Sequence, residues 1–379
     1  LYRKGNDQLE KITGEIIKKS AVAQVDEQTK QYYRFMAKYM DYYDPNDSKF
    51  YNIADEKLVE LSRSLEHFYL IPRSRIFMEM RARKGITENN FIFHNYTAFK
   101  AKLTHYKDND KVLEAYQIAL RLYQTLDLRL WEPLKDLLQE LLDILAPSEF
   151  MGLISAAVNS ALREGQKNGN GQTNQTIFGM YSFVEDMGIF DRFTVFPRDQ
   201  FFNIVVTYCA QLEIDRARRF INSYLDRLNS SFIKDAETFA ESAILFFELK
   251  HNFASADLKQ IRELLIALSK NPFKNFSDAY RLKDYLSRSF YLIDDLKSLE
   301  RELNNYEIWL GRWKARIAEE LGIAIHNTIK QYKVLLKIKL KLKKEKPVDF
   351  DAEEKELIKY KRSITNSWVM EMFGLLRNK

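Results

Sequence analysis

Apolar residues recur at steps of three and four along most of the chain, the spacing that gathers them on one face of an α-helix. In Lys111–Thr125 the set is Val112, Ala115, Tyr116, Ala119, Leu122 and Tyr123. Leu130–Leu145 is expected to form a further helix, with Pro133 near its start, where proline is tolerated. Another is expected from Pro147 towards Glu164, with Phe150, Leu153, Ala157 and Ala161 along one side. The small residues there let a neighbouring helix approach closely. Asn168–Thr176 reads as a polar connection within one array, because helices of similar character flank it.

The middle of the chain repeats faintly. FNIVVTYCAQLEIDRA (202–217), ESAILFFELKHNFASA (241–256) and DYLSRSFYLIDDLKSL (284–299) align in steps of 39 and 43 residues. Ile204, Ala243 and Leu286 then correspond, as do Tyr208, Phe247 and Phe290. Ile214, Phe253 and Leu296 form a further set, and Ala217, Ala256 and Leu299 another. Each segment places an apolar helix before a short polar turn and a second apolar helix. Such a hairpin cannot bury both faces alone, so neighbours must complete its core.

On this spacing, and on the aromatic–turn–Ala/Ser pattern of Phe247 and Phe253–Ala256, the segment 197–310 resembles the tetratricopeptide-like superfamily of helical repeats. The resemblance extends more loosely to Phe91–Leu145. It implies an all-α, irregular solenoid of stacked antiparallel hairpins, wound as a right-handed superhelix. It further implies a concave face that binds proteins, peptides or sometimes RNA, and it assigns no individual residue a role. The expected organisation is an aromatic-rich helical region over 1–90, a hairpin array over 91–310 and C-terminal helices over 311–379. In the first, Tyr32, Tyr33, Phe35, Met36, Tyr39, Met40, Tyr42 and Tyr43 precede Asp44-Pro45, and are read as packing between two neighbours.

Composition agrees with a helical chain. Only 12 Gly and 7 Pro occur in 379 residues, too few for the many turns of a sandwich or for Gly-rich phosphate loops. Apolar residues, at 46%, suffice for a large core. The single cysteine, Cys209, excludes an internal disulfide and a cysteine zinc site, and suits a reducing, cytoplasmic setting. No apolar run is long enough for a membrane span. The sequence opens on Leu1 rather than Met, which leaves room for an upstream segment.

Candidate chemistry is sparse. The five histidines (67, 94, 105, 251 and 326) are scattered, and no metal-ligand or phosphate-loop spacing occurs. Cys209 lies in an apolar run without a nearby histidine, and is expected to be buried and inert. The pairs Asp294-Asp295 and Glu353-Glu354 are expected to be solvated. No catalytic, cofactor-binding or metal-binding residue is assigned, and a non-catalytic chain is expected.

Charge points elsewhere. Lys330–Lys346 holds eight lysines against Glu345, a local +7, whereas the whole chain carries +6. As a helix, this stretch places Ile325, Ile329, Tyr332, Leu336 and Leu340 on one stripe. Lys330, Lys333, Lys337, Lys341 and Lys344 lie beside it, and Leu335, Ile338 and Leu342 lie beyond. Leu335–Lys344 also alternates at period two, which keeps a local strand open; Leu and Lys favour helix. Beyond Pro347, five acids (349, 351, 353, 354 and 356) face one lysine, Lys355. If the chain folds back there, they partly answer a lysine face that is otherwise solvated.

A second basic group, Arg73, Arg75, Arg81, Arg83 and Lys84, surrounds Ile76, Phe77, Met78 and Met80. Arg216, Arg218 and Arg219 are expected to pair with Asp215 or Asp226. Ile364–Leu376, with Trp368, Val369, Met372, Phe373 and Leu376, is expected to be a capping helix. Candidate contacts for an anionic partner are therefore Arg73, Arg75, Arg81, Arg83, Lys333, Lys337, Lys341 and Lys344. The leading expectation is a scaffold or adaptor that binds a protein or peptide; the alternative is nucleic-acid binding through these basic patches.

Overall fold

A chain this poor in glycine must end its helices on other residues. Among the described residues the left-handed backbone positions fall on Asn95, Leu126, Leu212, Asp294 and Glu345, joined by Gly188. At Leu212, Asp294 and Glu345 the next amide reaches back to the carbonyl five residues earlier, while the left-handed residue bonds the carbonyl three earlier. This double bond pattern is the Schellman helix stop, ordinarily built on glycine. Leu212 bears left-handed strain of about 1 kcal/mol and is exposed. Leu212→Asn is expected to stabilise the chain by about that amount, read as a higher urea midpoint with unchanged slope.

The computed structural model describes residues 32, 35–36, 39, 55–83, 95–106, 110–168, 173–252, 258–270 and 276–378. Among these residues it is all-α, with fifteen α-helices and no strand. None of these helices is long and apolar enough to cross a membrane. The chain divides into two compact units, parting between Phe193 and Thr194.

The first unit holds α1 (Asp55–Arg83), α2 (Tyr96–Tyr106), α3 (Lys111–Thr125), α4 (Trp131–Glu140), α5 (Pro147–Asn168) and α6 (Thr173–Asp186). Asp110 starts α3, its carboxylate accepting from the amides of Val112 (2.8 Å) and Leu113 (3.1 Å). The single apolar face expected for α3 is an understatement. Leu113, Ile118 and Leu120 are buried too, because α1, α2, α4 and α5 surround the helix. The helix expected over Leu130–Leu145 is shorter. A 3-10 turn at Leu128–Leu130, capped by Asp127, precedes α4, and Leu141–Leu145 winds into turns. Pro147 opens α5 and disfavours helix in the residue before it. The aromatic stretch around 32–43 lies largely outside the described residues. Of it, Tyr32 and Phe35 place their rings 5.5 and 6.4 Å from that of Phe68 on α1.

The second unit holds α7 (Arg198–Ala210), α8 (Ile214–Tyr224), α9 (Ile233–Asn252), α10 (Leu258–Ser269), α11 (Phe276–Leu292), α12 (Leu296–Trp313), α13 (Glu319–Lys343), α14 (Phe350–Lys359) and α15 (Asn366–Arg377). α7 turns sharply into α8, and α11 into α12. α9 packs between α7 and α11, α12 packs on α13, and α13 on α14 and α15. Rings tie the first three together: Phe202 to Phe239 (4.4 Å), Phe239 to Tyr285 (6.0 Å) and Phe246 to Tyr285 (5.4 Å).

Two of the three aligned segments, the first and the third, share a turn. Leu212 and Asp294 occupy the same aligned position and adopt the same left-handed stop. Ile204, Ala243 and Leu286 are all buried, as are Ala217 and Leu299. In the middle segment α9 continues to Asn252, and Phe253–Ala256 lie outside the described residues.

Candidate functional site

The lysine stretch is helical as far as Lys343, and the strand alternative falls away. Both apolar stripes are buried along the middle of α13. Val334 and the polar Thr328 and Gln331 are buried with them, so the helix is enclosed on most sides. Gln331 donates to the Leu357 carbonyl and to Asn366 Oδ1 and accepts from the Ser363 hydroxyl (3.3, 2.8 and 2.6 Å). The Ile364 amide donates to Thr328 Oγ1 at 3.0 Å. These bonds fix the segment between α14 and α15 onto α13.

Three carboxylates divide most of the lysines. Glu307 of α12 takes Lys330 (3.2 Å) and Lys333 (2.6 Å). Asp294, at the α11–α12 turn, takes Lys339 (3.2 Å) and Lys343 (2.5 Å). Glu353 of α14 takes Lys337 (2.8 Å) and Lys341 (2.9 Å). The acid block folds back after Pro347; of its five acids Glu353 forms the ion pairs with the lysines, and Glu356 feels Lys337 only through space. Asp349 caps α14 at the Ala352 amide, Asp351 and Glu354 bind Arg377, and Glu356 binds Lys359. The lysine face is thus less solvated than expected, and two of its partners come from sequence-distant positions on α12 and the turn before it.

Asp294, Asp295 and Glu353, expected to be solvated, are engaged. Asp295 caps Ser298 of α12 and pairs with Arg262 at 2.6 Å. Burial works against the charge on Glu353, Asp294 and Asp295, yet bonds from lysine, arginine and Ser298 hold all three below the ordinary carboxylate range. For Glu307 the bond from Lys333 is the largest influence, and its pKa too is lowered. A lowered folded-state pKa adds stability that is present above the unfolded value and lost as pH falls through the folded one. Glu302, raised by burial beside Lys283, has the opposite sign. Glu356, bonded by Lys359, is lowered as well, and Glu241 is raised by burial. With five lowered carboxyls against two raised, acid titration is expected to destabilise this unit as pH drops below about 4. Helical ellipticity in moderate urea from pH 7 to 3 would report it.

Beside these lysines the α12–α13 seam opens into a groove of about 500 Å³. Leu303, Leu336 and Leu340 form its floor, and Lys333, Lys337, Lys341, Lys344 and Lys346 its rim, with Glu300 and Asn304 opposite. Lys344 and Lys346 are exposed and have no ion-pair partner among the described residues. The groove therefore pairs an apolar base with a basic edge, an arrangement suited to holding an anionic chain.

The four candidate arginines lie in the first unit on α1 and are used locally. Arg73 lies over the Phe77 ring and Arg81 over Tyr96 (4.7 and 5.8 Å). Arg75 stands 3.7 Å from the buried carboxylate of Glu149, and Arg83 pairs with Glu79 at 2.5 Å. Lys84 lies outside the described residues. Arg218 does not use Asp215 or Asp226 but reaches Glu248 of α9 at 2.7 Å, while Arg216 covers the Tyr208 ring.

A buried polar node in the second unit has no signal in the spacing. Asp284 pairs with Arg288 one turn along α11 and accepts from the Tyr332 hydroxyl. That hydroxyl also meets Thr365 Oγ1 at 3.0 Å. Arg288 lies over Phe246 (4.4 Å), Tyr285 (5.4 Å) and Trp368 (5.7 Å). Burial opposes its charge, but Asp284 and the surrounding hydroxyls outweigh that and raise its pKa. Burial likewise raises Tyr332 and Tyr306 well above the ordinary phenol. The node is structural in character: it joins α11, α13 and the entry to α15.

Cys209 is buried, and desolvation pushes its thiol up to about 12. It is expected to resist thiol reagents in the folded chain and to react on denaturation, as a maleimide mass-shift assay would show. Among the described residues no group of His, Cys, Asp and Glu is placed to hold a metal. His94 lies outside those residues. No protein-family model, curated protein or solved structure matches the chain.

Proposed function

We propose that the chain is a non-catalytic scaffold or adaptor, built as a tetratricopeptide-like array of helical hairpins, that holds an acidic segment of another polypeptide. The observation that carries this reading is the leucine-floored, lysine-rimmed groove between α12 and α13. An apolar base suits side chains, and a lysine edge suits carboxylates. The shared left-handed turns at Leu212 and Asp294 support the hairpin repeat. The buried lone cysteine supports a reducing, cytoplasmic setting.

Nucleic acid is the second reading, favoured by the same lysines. It is the weaker one, because the groove floor is leucine and no aromatic ring lines it for base stacking. Fluorescence anisotropy decides between them, with a labelled Glu-rich apolar peptide and a labelled single-stranded RNA at about 50 and about 200 mM salt. The peptide is expected to bind at both concentrations and the RNA to be lost at the higher. RNA binding that persists, with no peptide binding, would reverse the assignment.

A further inference from the structure

A second opening follows the lysine groove along the same two helices. On α12, positions 300, 303, 304, 307, 310 and 311 advance by threes and fours and share one face. The first three line the lysine groove; the last three line the second opening, of about 520 Å³, against the N-terminal half of α13. Glu307 stands between the two, lining the second opening and pairing across to Lys333, which lines the first. The whole seam follows α13, which at 25 residues is about 37 Å long.

Its two halves differ in character. The half at the end of α13 is basic, with Lys344 and Lys346 exposed. The half at the start of α13 carries Glu319 and Glu307 around Leu310 and an exposed Ile323. There the wall is low: a Cβ at Gly311 would meet nothing within 4 Å. A uniform polyanion finds exposed lysines in the first half and none lining the second, where Glu319 stands and Glu307 already holds Lys330 and Lys333. Both walls are helices whose backbone groups are internally bonded, so no strand can add to them; an occupant of this length that satisfies its own backbone is a helix.

Resting on the function proposed above, we infer that the seam takes one helix of a partner, acidic towards one end and apolar towards the other. Its acids lie over Lys341 and Lys344, and its apolar side chains lie over Leu310 and Ile323. The probes are two synthetic peptides of about 20 residues with the same composition. One gathers its acids in one half and its apolar residues in the other; the second disperses both. The clustered peptide is expected to bind the full chain at least about tenfold more tightly, a difference of about 1.4 kcal/mol.

Ile323→Glu is expected to weaken the clustered peptide about tenfold and leave the dispersed one unchanged. Gly311→Leu fills the low wall while favouring helix, and is expected to weaken the clustered peptide with no loss of thermal stability. Equal, lysine-dependent binding of both peptides overturns the two-part seam and leaves the polypeptide-binding reading intact. So does clustered binding indifferent to both variants. Absence of binding by either peptide overturns both. RNA that displaces the clustered peptide at about 200 mM salt overturns the polypeptide assignment.

Discussion

Asp284→Ala is expected to lower the stability of the second unit by about 3–5 kcal/mol, the cost of leaving one member of a buried ion pair alone. The substitution leaves the buried Arg288 guanidinium without its carboxylate and the Tyr332 hydroxyl with only Thr365 Oγ1 as partner. Arginine cannot shed its proton to escape, and here Asp284 and its neighbours hold its pKa raised. Asp284→Asn, which keeps an acceptor for Tyr332, is expected to cost less. Replacing both partners, Asp284→Leu with Arg288→Met, is also expected to cost less than Asp284→Ala alone. Urea unfolding followed by circular dichroism checks the order, and a double variant worse than the single would contradict it.

Glu353→Gln is expected to move stability and binding in opposite directions. Glu353 is buried, and its carboxylate receives both Lys337 and Lys341. Removing its charge takes away two charge-assisted bonds, at a cost of about 1–3 kcal/mol; the exposure of Lys337 keeps it from being larger. The same change releases two lysines on the rim of the groove. An acidic peptide is then expected to bind about three- to tenfold more tightly, because it no longer competes with an internal carboxylate. Peptide anisotropy on the folded variant, beside its urea midpoint, reads both effects. Weaker binding together with lower stability would mean that Glu353 supports the groove rather than masking it.

Much of the fold is legible in the sequence because its signals are local. The three- and four-residue apolar steps locate α3, α5, α13 and α15, and the scarcity of glycine points away from strands and turns. The aligned segments place Leu212 and Asp294 at one turn position, and both are left-handed helix stops. Helix ends are less legible: α4 stops at Glu140 while Leu141 and Leu145 are buried in turns, which periodicity reads as more helix.

The site is half legible, for a related reason. The lysine density and the acid block after Pro347 stand out in sequence, and Glu353 is one of those acids. As partners for the lysines, Glu307 and Asp294 do not stand out, since they meet them only through the packing of α12 and the α11–α12 turn on α13. The Asp284 node is invisible to spacing. An acid and an arginine four apart on a helix usually mark a surface pair, and here Trp368 and Tyr332 cover them.

Whether an acidic partner lies along the α12–α13 groove is tested most directly by zero-length carbodiimide coupling of the clustered acidic peptide to the full chain, with mass spectrometry of the joined lysines. Coupling is expected to concentrate at Lys344 and Lys346, and to increase at Lys337 and Lys341 in Glu353→Gln. Coupling spread evenly over exposed lysines such as Lys259 and Lys355, or absent from Lys344 and Lys346, would contradict a partner in the groove.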